Sequence, residues 1–427
     1  MSTSSTGCPP WLGPLQPLCN RRMLICVFTG FSSGLPLYLL INLVPAWLKS
    51  EGVDLALIGL FSIIQFPYTW KFLWSPLMDR WSVLGMGRRR GWMLLSQLLL
   101  MGGIALLGSL VPSDGPSLQL IALLAGAVAL FSASQDIVLD AYRREILADD
   151  ELGLGTAVHV NAYRIAGLVP GALSLILADH LPWPLVFMLT ALFMLPGIAL
   201  TLLVTEPQLA RVPQTLRQAV VEPFHEFITR QGWRNALYIL GFIFLYKLGD
   251  SMATALATPF YLDLGYSKTM IGLVAKNAGL WPCVIGALLG GLWMVRLGIN
   301  RALWLFGVVQ LLTILGFAWL ATVPPSPWSL GLVIGAEALG VGLGTAAFTA
   351  FIARTTDPRY TATQFALFTS LAAVPRTFFN ASTGYLAESL GWVPFFLLCT
   401  LLAVPGMLLL FKVAPWQAAP GSEDSPS

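Results

Sequence analysis

The sequence is short of charge. Asp, Glu, Lys and Arg together make up 11% of its 427 residues, against roughly a quarter in soluble globular domains. That shortage excludes a large water-soluble protein, and the 56% of apolar residues excludes a wholly disordered chain. Histidine is rare: His159, His180 and His225 stand far apart, and their spacing forms no metal-ligand set. The five cysteines (Cys8, Cys19, Cys26, Cys283 and Cys399) are odd in number, scattered and without metal-ligand spacing. They read as small apolar residues. No GxxxxGK[ST] phosphate loop occurs, so P-loop ATP hydrolysis is excluded as an energy source. No nucleophile–base motif stands out, which argues against an enzyme. No soluble domain of useful size is present to carry a signal, which argues against a receptor.

What the chain has in abundance is apolar length. Mean hydropathy is +0.74, and long apolar stretches recur from Met23 to Phe411. A hydrocarbon core of about 30 Å needs about twenty apolar residues per helix, which makes this an all-α polytopic membrane protein. Spans are expected near 23–48, 54–78, 91–111, 117–142, 154–179 and 183–204, then 234–262, 268–295, 301–322, 328–354, 362–387 and 391–412. Arg21 and Arg22 before the first run imitate a secretory signal. The run continues to about Trp47 with no small-residue cleavage site, so it reads as a retained first span. The chain divides into an N-terminal tail (1–22), a first six-helix half (23–205), a linker (206–233), a second half (234–412) and a C-terminal tail (413–427). Both tails are Ser/Pro/Gly-rich and are expected to be disordered.

Orientation follows from the cations. With both tails cytoplasmic, the inner loops and span ends hold 17 Lys or Arg, including Arg80, Arg88, Arg89, Arg90, Arg143 and Arg144; the outer loops hold only Lys49 and Lys268. Such an excess orients a membrane protein positive side in. An internal repeat supports the halving. "IGLFSI" at Ile58 recurs as "IGLVAK" at Ile271, Arg164 as Arg376, Trp183 as Trp392, and Arg144 as Arg354, at offsets of 213, 212, 209 and 210. Two six-helix halves related by duplication are the parallel repeat of major facilitator transporters. The loop "SPLMDRWSVLGMGRRRGW" (Ser75 to Trp92) resembles the loop between spans two and three of that superfamily, and "GGLWMVRLGINR" from Gly290 is a worn second copy.

The resemblance narrows further. "FSSGLPL", "KFLWSPLMDR", "GRRRGW", "SASQDIVLDAY", "YKLGD" and "ATQFAL" look like the AmpG family of muropeptide permeases, in matching order along nearly the whole chain. The resemblance implies a proton-driven importer in the inner membrane of a Gram-negative bacterium, working as a monomer without cofactor, metal or nucleic acid. Its cargo would be N-acetylglucosaminyl-anhydro-N-acetylmuramyl products, with or without peptide, returned for cell-wall recycling. Some family members carry further C-terminal spans, whereas this chain ends soon after Lys412. Relatives of similar build include ferric-siderophore importers, which keeps another anionic cargo open.

Nine charged residues remain inside the expected spans: Lys71, Asp136, Asp140, Arg164, Lys247, Asp250, Lys276, Glu337 and Arg376. Each costs about 2.5–3.5 kcal/mol at a helix centre on insertion scales, so such residues face a cavity or one another. Lys71 shares a helix face with Tyr68 and Trp74, which reads either as a sugar-and-carboxylate site or as a lysine paired with an acid. Arg164 and Arg376 read either as an anion clamp or as a scaffold pair. Lys247 and Asp250, three apart, read first as an ion pair that Thr254 and Thr258 extend. Lys276 lies close to a span end and is free to snorkel; Asn277 is its polar neighbour. Glu337, near mid-membrane, is a proton-carrier candidate or a carboxylate neutralised by Lys247 or Arg376.

Asp136 and Asp140 share one helix face. At the repeat offset of 210 their counterparts are Ala346 and Ala350, while Arg144 keeps Arg354. A requirement of the fold alone would recur in both halves, so Asp136, beside Gln135, is the leading site for proton or substrate. Asp140 joins Asp79, Arg80, Arg88, Arg89, Arg90 and Arg144 as a cytoplasmic gate network. Small-xxx-small patterns at Gly30/Gly34, Gly167/Gly171 and Gly286/Gly290 permit close helix approach, and are expected to smooth spans five and eight where they face each other.

Overall fold

The computed structural model describes residues 20–53, 64, 66–112, 115–207, 221–379 and 382–416, and every regular element among them is helical. Apart from Asn20–Arg22 and residues 413–416, the expected tails lie outside the described residues.

Helix α1 (Arg21–Ser50) starts where the Asn20 side chain accepts from Arg22 N at 3.2 Å, replacing one orphan bond of the first turn. Pro36 has no N–H to donate, and a π stretch, Leu39–Leu43, follows it. Helix α2 comes in pieces, Phe66–Trp70, Lys71–Leu73 and Ser75–Arg80. Then come α3 (Arg88–Gly108), α4 (Gly115–Ile146), α5 (Leu152–Ala178) and α6 (Trp183–Leu203). A short polar helix, Glu222–Gln231, precedes α7 (Trp233–Asp263). The next helical run, Lys268–Leu320, has 53 residues. Unbroken, it would reach about 80 Å, more than twice a hydrocarbon core. It breaks at Gly298, whose φ of 75° suits only a residue without Cβ, and so yields α8 and α9. Helices α10 (Pro327–Thr355), α11 (Thr361–Phe378 with Thr383–Leu390) and α12 (Trp392–Val413) complete the chain.

Among the described residues, nine helices are long and apolar enough to cross a membrane. One of them contains both α8 and α9, and the described parts of α2 and α11 stand where the remaining two of the twelve expected spans fall; residues 54–63 of the expected second span lie outside the described residues. Large apolar side chains such as Leu123, Leu203, Leu401 and Phe411 are exposed, as a surface solvated by acyl chains requires.

The chain forms two compact units. The first comprises 1–148, 158–223 and 357–366; the second comprises 149–157, 224–356 and 367–427. The core of the first gathers Leu35, Leu43, Trp47, Leu100 and Phe187, with Trp47 edge-on to Phe187 at 5.0 Å. A second apolar cluster joins Ile137, Val138 and Tyr142 to Ala362 and Ala366. The second unit centres on Phe260, Phe317 and Phe396, the first and last meeting edge to face at 4.7 Å.

The glycine patterns work inside each unit. A Cβ at Gly30 would lie 2.2 Å from the His159 carbonyl oxygen, and one at Gly34 would lie 2.2 Å from that of Tyr163. Helices α1 and α5 therefore touch backbone to backbone, with Gly167 lying under the Tyr38 ring. In the second unit Gly286 and Gly290 face Leu339 and Leu343 of α10. That corrects the expectation that these two smooth α8 for span five; the neighbouring Gly291 meets Leu154 and Ala157 instead.

Candidate functional site

Two charged constellations form in the first unit, both built around α4. About two-thirds along it, Ser33 Oγ of α1 donates to Asp136 Oδ1 at 2.5 Å, a short contact. One turn further on, Asp140 is surrounded by basic groups. Its Oδ2 lies 3.9 Å from Lys71 Nζ. Its Oδ1 lies 3.0 Å from Arg143 Nη2 and 4.0 Å from His159 Nε2. Helix α2 opens into a tight turn at Lys71–Leu73, which lets the lysine, 7% exposed, reach α4. The Trp74 indole donates to Ser134 Oγ at 3.0 Å, and the Tyr68 hydroxyl is buried. His159 is held on its other side by Thr29, whose Oγ1 is 3.2 Å from Nδ1. Asp136 shares the electrostatic field of Lys71, Asp140 and Arg143, so one small volume holds two acidic and two basic side chains. Gln135 is fully buried and donates to Ser32 Oγ at 2.9 Å.

The second constellation sits at the Arg-rich end of α3. Asp79 is completely buried. Its Oδ1 accepts from Arg89 Nη2 at 2.8 Å and from Ala362 N at 3.3 Å. Its Oδ2 accepts from Thr363 N at 2.8 Å and Thr363 Oγ1 at 2.7 Å. These backbone donors belong to the first turn of α11, where unpaired N–H groups and the helix dipole favour an anion. Arg89, also fully buried, shares itself between Asp79 and Glu145, which it meets at 2.6 Å. Arg88 donates to the Asp79 carbonyl at 3.0 Å and approaches Glu145 at 3.4 Å. Arg90 spans to the Thr201 and Leu202 carbonyls at the end of α6. Helix α3 has no capping side chain of its own, because Gly87 precedes it. Glu206 supplies the cap from afar, accepting from Arg89 N at 2.8 Å and Arg90 N at 3.0 Å.

Of the expected gate residues, Asp79, Arg88, Arg89 and Arg90 thus converge. Asp140 belongs to the other cluster, Arg80 lies over the Trp81 ring, and Arg144 is half-buried beyond Arg143. Lys247 and Asp250 form an ion pair at 3.5 Å in the second unit. Thr254 there binds the Asp250 carbonyl at 2.9 Å rather than its carboxylate. Arg164 and Glu337 are half-buried and Asn277 is exposed; the side chains of Lys276 and Arg376 lie outside those described. Sequence reasoning missed Ser33, Arg143, His159, Glu145, Glu206 and Thr363 as site residues. Ser33 lay in the string "FSSGLPL" but nothing there pointed to a partner, and His159 carried no signal, being a lone polar residue on another helix. Arg143 did carry one, standing three residues beyond Asp140 on the same helix face, and Glu145 carried one only as a charge at the end of an apolar run.

The model of the Major Facilitator Superfamily matches residues 23–380. An "Anhydromuropeptide permease" of Escherichia coli (strain K12) is 43% identical over 392 residues, 91% of this chain and 79% of that protein. The chain belongs to the AmpG-type permease family of the Major Facilitator Superfamily. An uncharacterized protein of Haemophilus influenzae is 51% identical to this family member, covering 93% of this chain and 95% of that one. Among solved structures, the transporter FucP in its outward conformation matches 93% of this chain and 99% of its own, with a TM-score of 0.71 and 11% identity. At that identity the likeness shows the fold alone. Expectations of a twelve-helix facilitator fold, a multi-pass membrane transporter and no enzymatic activity agree with these relatives.

Proposed function

We propose that the protein imports peptidoglycan turnover products, N-acetylglucosaminyl-anhydro-N-acetylmuramic acid with or without peptide, by proton symport across a bacterial inner membrane. Both termini are then cytoplasmic, as the Lys/Arg bias requires, and the working unit is a monomer. The cargo reading is supported by identity along nearly the whole chain to a protein named for anhydromuropeptides. The coupling reading rests on the charge balance around α4. With Asp136 and Asp140 both ionised, Lys71 and Arg143 are neutralised. A proton on Asp136 leaves one positive charge in excess, and an anionic cargo is attracted to that excess. Proton and cargo then bind better together than apart, which is what symport needs, provided both favour one state of the transporter over the other.

In this reading Asp136 carries the proton, with Glu337 a second candidate. Lys71, Tyr68 and Trp74 receive the cargo, and Gln135, Arg164, Lys247, Asp250, Asn277 and Arg376 are further candidates for cargo contact. Asp79, Arg80, Arg88, Arg89, Arg90 and Arg144 act at the cytoplasmic gate, while Asp140 belongs with Lys71 and Arg143. The test is uptake of labelled N-acetylglucosaminyl-anhydro-N-acetylmuramic acid into membrane vesicles. Uptake should collapse with a protonophore and be lost in Asp136→Asn at normal membrane expression. Uptake that persists without a proton gradient, or in that variant, defeats the coupling.

A further inference from the structure

Arg143 is the most buried cation of the cluster, at 1% exposure, yet it is poorly used. Its Nη2 lies 3.0 Å from Asp140 in a direction that makes no hydrogen bond. Neither Nη2 nor Nε has a hydrogen-bond partner among the described residues. Nε and Nη2 carry the two parallel N–H groups of one guanidinium edge, the fork that takes a carboxylate bidentately. A buried guanidinium left with that fork unfilled is costly. The aromatic face of Phe365, 5.6 Å from its Cζ, offers attraction to the cation but no acceptor for those hydrogens.

Asp140 is a loose partner for what surrounds it. Three basic side chains converge on its carboxylate, and only Arg143 is within 3.5 Å; Lys71 is at 3.9 Å and His159 at 4.0 Å. Asp140 is also the most exposed of the four, its side chain at 16% against 8% for Lys71, 6% for His159 and 1% for Arg143. The three basic side chains are more deeply buried than the acid they surround.

We propose that Lys71, Arg143 and His159 form a carboxylate subsite in which Asp140 is the place-holder. The cargo's carboxylate enters the free fork of Arg143 and displaces Asp140 from the basic groups; on departure Asp140 returns and the charge is covered again. This rests on the reading of the cargo as an anhydro-muramyl compound, whose lactyl group or attached peptide ends in a carboxylate. Asp140 is then a positioning residue that sets affinity and release, and Arg143 a specificity residue that separates acids from their neutral esters.

The test compares the purified full-length protein with Asp140→Asn, and with Asp140→Ser in case one substitution impairs folding. Binding is measured for N-acetylglucosaminyl-anhydro-N-acetylmuramic acid and for its methyl ester. Removing the place-holder should tighten binding of the acid by about tenfold, equivalent to about 1.4 kcal/mol, and leave the ester unchanged. Vesicle uptake by the same variants should turn over more slowly, since release is no longer assisted. Adding Arg143→Lys, which keeps the charge but not the fork, should erase the gain. Equal or weaker binding of the acid by both variants, or an equal gain for acid and ester, overturns the proposal. Failure of the wild-type protein to bind either compound counts against the cargo reading instead. The subsite is then decided with lactate alone: lactate should raise the thermal midpoint of Asp140→Asn but not of Asp140→Asn with Arg143→Lys, and no rise in the former overturns it.

Discussion

Replacing Asp79 by Asn keeps the shape of the side chain and removes its charge. The carboxylate accepts from four donors at 2.7–3.3 Å, one of them the fully buried Arg89. An amide has a single oxygen. Whichever pair of donors it serves, its NH2 confronts the other pair, which also donates. Breaking a buried ion pair by removing one partner costs about 3–5 kcal/mol. Arg89 retains Glu145 at 2.6 Å, so its guanidinium is not left unpaired, and the low end, about 3 kcal/mol, applies. The assay is thermal unfolding of the detergent-purified protein. For a chain of two units this gives a midpoint and a half-life rather than an equilibrium free energy. Thr363→Val isolates one contact, the 2.7 Å hydroxyl bond, and should cost about 1.5 kcal/mol as a hydrogen bond to a charged acceptor. The expected order of stability is wild type, Thr363→Val, Asp79→Asn, with Thr363→Ser like wild type. If Asp79→Asn melts with the wild type, or Thr363→Val is the more damaging, the assignment of Asp79 as the anchor of the α11 start is wrong.

Three further outcomes can be measured on the same preparations. Glu206→Gln should lower stability by about 1 kcal/mol, the scale of a lost helix cap, because one amide oxygen replaces two carboxylate oxygens on Arg89 N and Arg90 N. Gly34→Val should reduce folded yield sharply, since its Cβ would sit 2.2 Å from the Tyr163 carbonyl oxygen and overpacking of this kind costs about 1–3 kcal/mol or more. Tyr360, between α10 and α11, donates to Glu222 at 2.6 Å. Burial and then that carboxylate push its phenol up to about 12, above its unfolded value of about 10. Its neutral form is therefore favoured by folding: the contribution is complete below about pH 10 and is lost as pH rises towards 12. Tyr360→Phe should flatten the alkaline limb of the thermal midpoint against pH; an unchanged limb would assign that limb to other groups.

Much of the architecture is legible in one dimension, because a bilayer acts on each span separately. About twenty apolar residues are needed whatever the neighbours do, so the expected spans and the elements agree to within a few residues at most ends. The turn between α8 and α9 was legible as well, since the helical run must break and Gly298 (φ 75°) is the residue that tolerates the required backbone. The site was legible only in part. Asp136, Asp140 and Lys71 stood out because charge in a membrane segment demands a reason, and Asp79 because it lies in the loop between spans two and three. What each of them touches did not follow. Ser33 lies 103 residues from Asp136 in sequence, and Thr363 lies 284 from Asp79.

By itself, then, the sequence determined the solvent, the number of crossings, the repeat and the residues that must justify their charge, all of which depend on composition and local period. The tertiary structure decided partnership. It assigned Gly30 and Gly34 to the contact between α1 and α5, separated Asp140 from the Asp79 network, and left the Arg143 fork unfilled beside it. Those outcomes turn on fractions of an ångström between helices distant in sequence, and hydrogen bonds and ion pairs are sensitive to distance and direction on that scale.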